Sequence, residues 1–115
     1  MKVVQNIQDI FKAVLKGGEN IFIQGAMQTP SYLLEKLEKT LTNESKSITN
    51  LTFIHLHTHG EPFYIRKEFK SRCKTLNFFV GGNIRKSVNY QEIDYIPCFL
   101  SEIPYLLRDK IIPLD

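Results

Sequence analysis

The chain has 115 residues, 43% of them apolar and 23% charged, with a formal net charge of +3, as in one ordinary globular domain or part of a larger one. Its basic residues fall in short groups (Arg66-Lys67, Arg72-Cys73-Lys74, Arg85-Lys86), which argues against a nucleic-acid groove, and no apolar run nears the ~20 residues that span a bilayer. Two distant cysteines, Cys73 and Cys98, suit a reducing compartment, and the N-terminus has no leader features, so the expected location is cytoplasmic.

Ile7, Ile10, Phe11, Val14 and Leu15 mark one face of a first helix, with Asn6 as its cap and Gly17-Gly18 as its stop. A buried strand is expected over Ile21 to Gln24, with a turn at Gly25. Thr29-Pro30 then reads as N-cap and first residue of a helix striped by Leu33, Leu34, Leu37 and Leu41. "LTFIHLH" is the second strand, and Glu61 to Thr75 has no clear period, which suggests an irregular excursion over the surface. "TLNFFVGGN" is a third strand running into a glycine turn, with a short helix over roughly Ile84 to Val88. A fourth strand ends near Pro97, a helix capped by Ser101 runs through Leu107, and "KIIPLD" starts another strand.

Strands alternating with helices indicate βα units and an α/β fold on a mostly parallel sheet, where ligands bind beyond the carboxyl ends of the strands. The loops to watch are therefore Gly25 to Thr29, His57 to Glu61, Gly81 to Arg85 and Pro97 to Glu102.

Four features compete for chemistry. Histidines at 55, 57 and 59 would share one face of an extended strand, about 7 Å between neighbours, so two can converge on a metal while the third must curl back. No fourth histidine exists, and the plainer reading is preferred: a packed, hydrogen-bonded His55 or His57 and a loop His59. Gly81-Gly82, a following helix and Arg85 could hold an anion, or could be plain turn geometry. Ser101 and Glu102 read more simply as helix-end residues than as a nucleophile and base. Gly25-Ala26 permits a close approach by a ligand or merely a turn.

"FIQGAMQTP", "HLHTHGEPFY", "LNFFVGGNIRKSVN", "DYIPCFLSEIP" and "IIPLD", in that order, resemble the N-terminal region of the acetyl-CoA hydrolase/transferase family, which includes acetate, butyrate and 4-hydroxybutyrate CoA-transferases. The resemblance spans about Ile10 to Asp115 and implies a NagB/RpiA/CoA-transferase-like α/β fold, incomplete at the C-terminus: residues 1–115 would form a single partial domain. It implies coenzyme A as a substrate, carried as acyl-CoA, and a carboxylate acceptor, with no metal. In the family pattern His57, Thr58 and Gly60 are typical, whereas the place of His59 is commonly taken by another residue, which speaks against a metal set.

The implied chemistry passes coenzyme A between carboxylic acids. A glutamate attacks the thioester to give a mixed anhydride, the thiolate returns to form a glutamyl-CoA, and a second carboxylate takes over the CoA. The resemblance places that glutamate in a C-terminal half, so no catalytic residue is assigned here. Gly25, Gln28 and Thr29 at one turn, His57 and Thr58 at the next, and Gly81, Asn83 and Arg85 at a third are expected to face the active site. A parallel sheet interrupted at "IIPLD" would expose an edge and an uncovered apolar face, so pairing with a C-terminal half or self-association is expected. The alternative is a non-catalytic remnant or partner-binding fragment with no CoA chemistry of its own.

Overall fold

A computed structural model describes residues 6–43, 47–86 and 93–115. Helix α1 (Ile7–Val14) starts where the Asn6 side-chain oxygen accepts the Gln8 N–H at 3.1 Å. It ends where Leu15 turns extended before Gly17 and Gly18, both at positive φ. Strands β1 (Asn20–Ile23), β2 (Leu51–His55), β3 (Cys73–Asn77) and β4 (Asp94–Tyr95) form one parallel sheet in the order β1-β2-β3-β4. Helix α2 (Ser31–Asn43) joins β1 to β2, and helix α3 (Ile103–Arg108) follows β4.

The sheet is covered on both faces, and direction of travel explains which segment lies where. Moving from β1 to β3, right-handed connections fall on the same face. That face buries Leu37 and Leu41 of α2 against Leu51 and Phe53. After β4 the chain runs back toward β1, so its connection belongs on the opposite face. There Ile103, Leu106 and Leu107 of α3 pack against Ile54, Phe78 and Ile112. At the far end Asp115 donates its N–H to Asn20 O at 3.1 Å, and Asn20 N–H donates to the Asp115 carboxylate at 2.8 Å. The last residues therefore lie along the β1 edge that β2 does not use, without forming the strand expected there.

The largest departure from the sequence reading concerns the excursion expected over Glu61 to Thr75, whose last three residues belong to β3. It is not a surface loop. Two 3-10 turns, Phe63–Ile65 and Lys67–Phe69, bury Phe63, Tyr64 and Phe69 on the α2 face. Tyr64 stacks on Phe53 with ring centroids 4.2 Å apart, and Phe63 meets Phe53 and Phe69 edge-to-face. Three aromatic rings thus do the covering that a crossover helix does elsewhere, and because 3-10 turns share no 3.6-residue period the pattern had nothing to display. Arg72 closes the excursion: its guanidinium donates to Leu41 O at 2.8 Å and to Ile48 O at 2.9 Å, satisfying carbonyls around the end of α2.

Smaller corrections concern helix ends. Leu34 N–H bonds to Pro30 O, which makes Pro30 the cap residue and Ser31 the first helical one, so Thr29 is not the N-cap. Leu33 is 44% exposed and lies off the buried stripe. Ser101 does not cap either; Glu102 does, its carboxylate accepting the Phe99 N–H at 2.6 Å. The short helix expected over 84–88 extends into residues outside those described.

Because Phe63 is buried among three aromatic neighbours, Phe63→Ala is expected to cost about 3–5 kcal/mol of stability. Chemical denaturation would measure it, and a loss below about 1 kcal/mol would mean that this layer is not part of the core.

Candidate functional site

Three turns meet at the carboxyl ends of β1, β2 and β3. At the first, Gly25 sits directly on the turn after β2: a Cβ built on it would lie 2.2 Å from His57 O. The same carbonyl accepts the Ala26 N–H at 2.7 Å, and Ala26 has a φ of +53°. Such a conformation is costly outside glycine and persists because the neighbouring contacts enforce it. Thr29 adds a second tie. Its hydroxyl donates to Ala26 O at 2.8 Å and accepts the His59 N–H at 3.1 Å. Gln28 is exposed, its side-chain oxygen accepting from the Gln24 amide.

The third turn locks onto the second through Asn83, whose Nδ2 donates to Thr58 O at 3.2 Å and to Gly60 O at 2.6 Å. Gly81 makes room for this: a Cβ there would lie 2.5 Å from His57 Cε1 and 2.8 Å from Asn83 Oδ1. The His57 ring also meets Phe79 edge-to-face at 5.8 Å. Gly25, Thr29, His57, Thr58, Gly81 and Asn83 are therefore brought into one wall, with Gln28 beside it. Arg85 is exposed.

Beneath the wall the sheet ends in polar residues. His55, Thr58, Tyr64 and Asn77 are all buried, and among the described residues His55 Nδ1 and Nε2, His57 Nδ1 and Asn77 Oδ1 are sealed from solvent without a hydrogen-bond partner, while the Tyr64 and Thr58 hydroxyls lie next to one another. His55 and Asn77 are register partners on adjacent strands, so they point to the same face. Burial, reinforced by the neighbouring His57, lowers the His55 imidazole from 6.5 to about 4, so it is neutral at ordinary pH. Burial likewise raises the Tyr64 phenol above its ordinary range, and the Thr58 hydroxyl beside it acts in the opposite direction. Burial also pushes the Cys73 thiol up to about 11, leaving it a core residue rather than a nucleophile.

The three histidines do not share a face. Strand β2 stops at His55; His55 lies under Tyr64 at 5.8 Å between rings, His57 leans on Gly81, and His59 is exposed. His55 is packed as the plainer reading expected, and among the described residues its ring nitrogens have no hydrogen-bond partner. Among the described residues no group of three or more His, Cys, Asp or Glu side chains is placed to hold a metal ion. A small cleft of about 170 Å³ on the α2 side, lined by Thr58, His59 and three carboxylates (Glu35, Glu38, Glu61), is ill suited to an anion.

Sequence reasoning missed Asn77, Tyr64 and Phe79. An asparagine inside an apolar strand (Asn77) is the one available signal, since buried polar groups are uncommon and tend to have a role.

Two stability measurements check this geometry. Gly25→Ala puts a methyl into a carbonyl that is itself hydrogen-bonded, and is expected to cost about 3 kcal/mol, whereas Gly82→Ala meets nothing within 4 Å and should stay within about 0.5 kcal/mol of wild type; equal costs would contradict the packing. His55, with its folded value below its unfolded one, makes the unfolded state bind more protons, so stability falls as pH drops from 6.5 to about 4. The loss reaches about 3 kcal/mol at the lower end, and denaturation curves of His55→Leu should lack that slope.

The model of the acetyl-CoA hydrolase/transferase N-terminal domain matches residues 1–112. The chain is 39% identical over 101 residues to a succinyl-CoA:acetate/propanoyl-CoA:succinate CoA transferase of Fasciola hepatica, covering 88% of this chain and 20% of that protein. It is 30% identical over 79 residues to a 4-hydroxybutyrate coenzyme A transferase of Clostridium kluyveri, covering 69% of this chain and 18% of that one. It thus spans about a fifth of the length of these curated relatives. The backbone is similar to RipA from Yersinia pestis, with a TM-score of 0.71 over 96% of this chain and 27% of that one at 20% identity. A mutant form of RipA gives 0.76 at 21% identity, with 96% and 26% covered. These two likenesses speak for the fold alone. The chain belongs to the acetyl-CoA hydrolase/transferase family and matches its N-terminal domain.

Proposed function

We propose that residues 1–115 are a single partial domain supplying one wall of an active site that moves coenzyme A between carboxylic acids. Acyl-CoA and a carboxylate are its substrates, and the transfer proceeds through a glutamyl-CoA whose glutamate lies outside this chain. Gly25, Gln28, Thr29, His57, Thr58, Gly81, Asn83 and Arg85 face that site. One observation carries this reading: the wall is cross-tied at three strand ends by Ala26 N–H to His57 O, His59 N–H to the Thr29 hydroxyl, and Asn83 to Thr58 O and Gly60 O. Rigid turns of this kind hold reacting groups in register, which is the protein's main contribution to acyl transfer between weak nucleophiles.

Family membership supplies the CoA chemistry, and the relatives named above are CoA transferases. Glu102, the carboxylate of the SEIP motif, is engaged with the Phe99 N–H, so it acts as a cap in this reading and not as the nucleophile. Met27, Phe79, Phe99 and Leu100 are exposed near the same strand ends. That apolar rim favours a covering element and also supports the second reading, a partner-binding fragment without CoA chemistry.

The test is CoA exchange by the full polypeptide between succinyl-CoA and labelled acetate, with intact-mass analysis for a hydroxylamine-sensitive CoA adduct. Exchange with an adduct is the expected result, and Asn83→Ala should lower kcat/KM about tenfold or more. Neither exchange nor adduct would leave the partner-binding reading.

A further inference from the structure

We propose that Met27, held out on the turn after β1, forms one side of the pocket for the alkyl part of the acyl group and sets how long a chain is accepted; this rests on the CoA-transfer reading above. Met27 is 92% exposed, more than any other large apolar side chain among the described residues. Its backbone is nonetheless tied down on both sides. Ala26 N–H donates to His57 O at 2.7 Å, Gln28 N–H to Gly25 O at 3.1 Å and Thr29 N–H to Ala26 O at 3.2 Å. The Thr29 hydroxyl then accepts the His59 N–H at 3.1 Å.

Single exposed apolar residues are ordinary, but Met27 also lines a small cleft of about 80 Å³ with Ala26, Thr29, Ser31 and His59. The cleft lies among the turns that follow β1 and β2, on the side of a parallel sheet where ligands bind. Its hydroxyls are already engaged: Thr29 donates to Ala26 O at 2.8 Å and Ser31 to Thr29 O at 3.4 Å. Among the described residues no carboxylate lines it, unlike the neighbouring cleft of about 170 Å³ with which it shares Thr29, Ser31 and His59. Apart from the His59 ring, what remains is the Met27 chain and the Ala26 methyl, an apolar surface that fits an alkyl group. The space holds roughly two or three carbon-sized groups, at the ~30 Å³ that a water molecule takes in the liquid. Chain length is therefore where discrimination falls, and each methylene in an apolar pocket is worth about 10–200-fold. Methionine is unbranched and adaptable, so it grades the preference instead of closing the cleft to longer chains.

The experiment measures kcat/KM of the full polypeptide for CoA transfer from succinyl-CoA to acetate, propionate, butyrate and hexanoate, giving succinate and the new acyl-CoA. Wild type, Met27→Ala and Met27→Phe are compared, with melting temperatures alongside. Met27→Ala is expected to raise the hexanoate-to-acetate ratio about tenfold or more, and Met27→Phe to lower it. Both should melt near the wild-type temperature, because the side chain is exposed. A merely structural role would lower all rates together and leave the ratio alone. An unchanged ratio in an active variant overturns the proposal, and a fall in melting temperature at an unchanged ratio does so too, by placing Met27 against another part of the polypeptide. Either variant decides where the other fails to fold. Wild type without any exchange defeats the CoA-transfer reading and this inference with it, whereas exchange with an unmoved ratio defeats this inference alone.

Discussion

The backbone carbonyl of His57 is the point on which the candidate site depends. Gly25 rests on it, and Ala26 donates to it from a left-handed conformation that its own side chain disfavours. That contact fixes how the turn after β1 sits on the turn after β2. Thr29 can then reach the His59 N–H and Asn83 can reach Thr58 O and Gly60 O, because each of those groups is presented by the same short stretch of chain. One close approach between two backbones, possible only without a Cβ, thereby organises side chains from three strand ends.

The support beneath the wall is made in two different ways on the two faces of the sheet. On one face α3 supplies leucines and an isoleucine at helical spacing. On the other, α2 covers β1 and β2, while Phe63, Tyr64 and Phe69 fill the remaining ground from 3-10 turns. The stacked Tyr64 ring links this layer to the site, since its hydroxyl end lies among His55 and Thr58 at the strand ends. Packing and site are therefore continuous there.

That continuity bears on what the buried polar residues do. Unpaired polar atoms in a protein interior are expensive, each by about 1–3 kcal/mol, and those found among the described residues lie together here. A neutral His55 keeps the sheet end polar without placing a charge in it. Strain and unmet hydrogen-bonding capacity gathered at one end of a sheet are typical of functional ground.

By itself the sequence determined the class of fold, the parallel βα arrangement, the first helix with its cap and stop, and the glycine-bearing turns at 25 and 81. All of these rest on local periodicity and on residues with unusual backbone freedom, which leave a mark in a one-dimensional pattern. The quoted motifs also carried the family resemblance, because they stand at the strand ends where the turns are most constrained. Tertiary structure alone decided the rest. It shortened β2 so that the histidines part, buried the 61–72 excursion, gave the Thr29 hydroxyl to His59 rather than to α2, and brought Asn83 and His57 up to Gly81. Each of those outcomes joins residues 20 or more positions apart or depends on which face a segment covers, and no local pattern records such pairings.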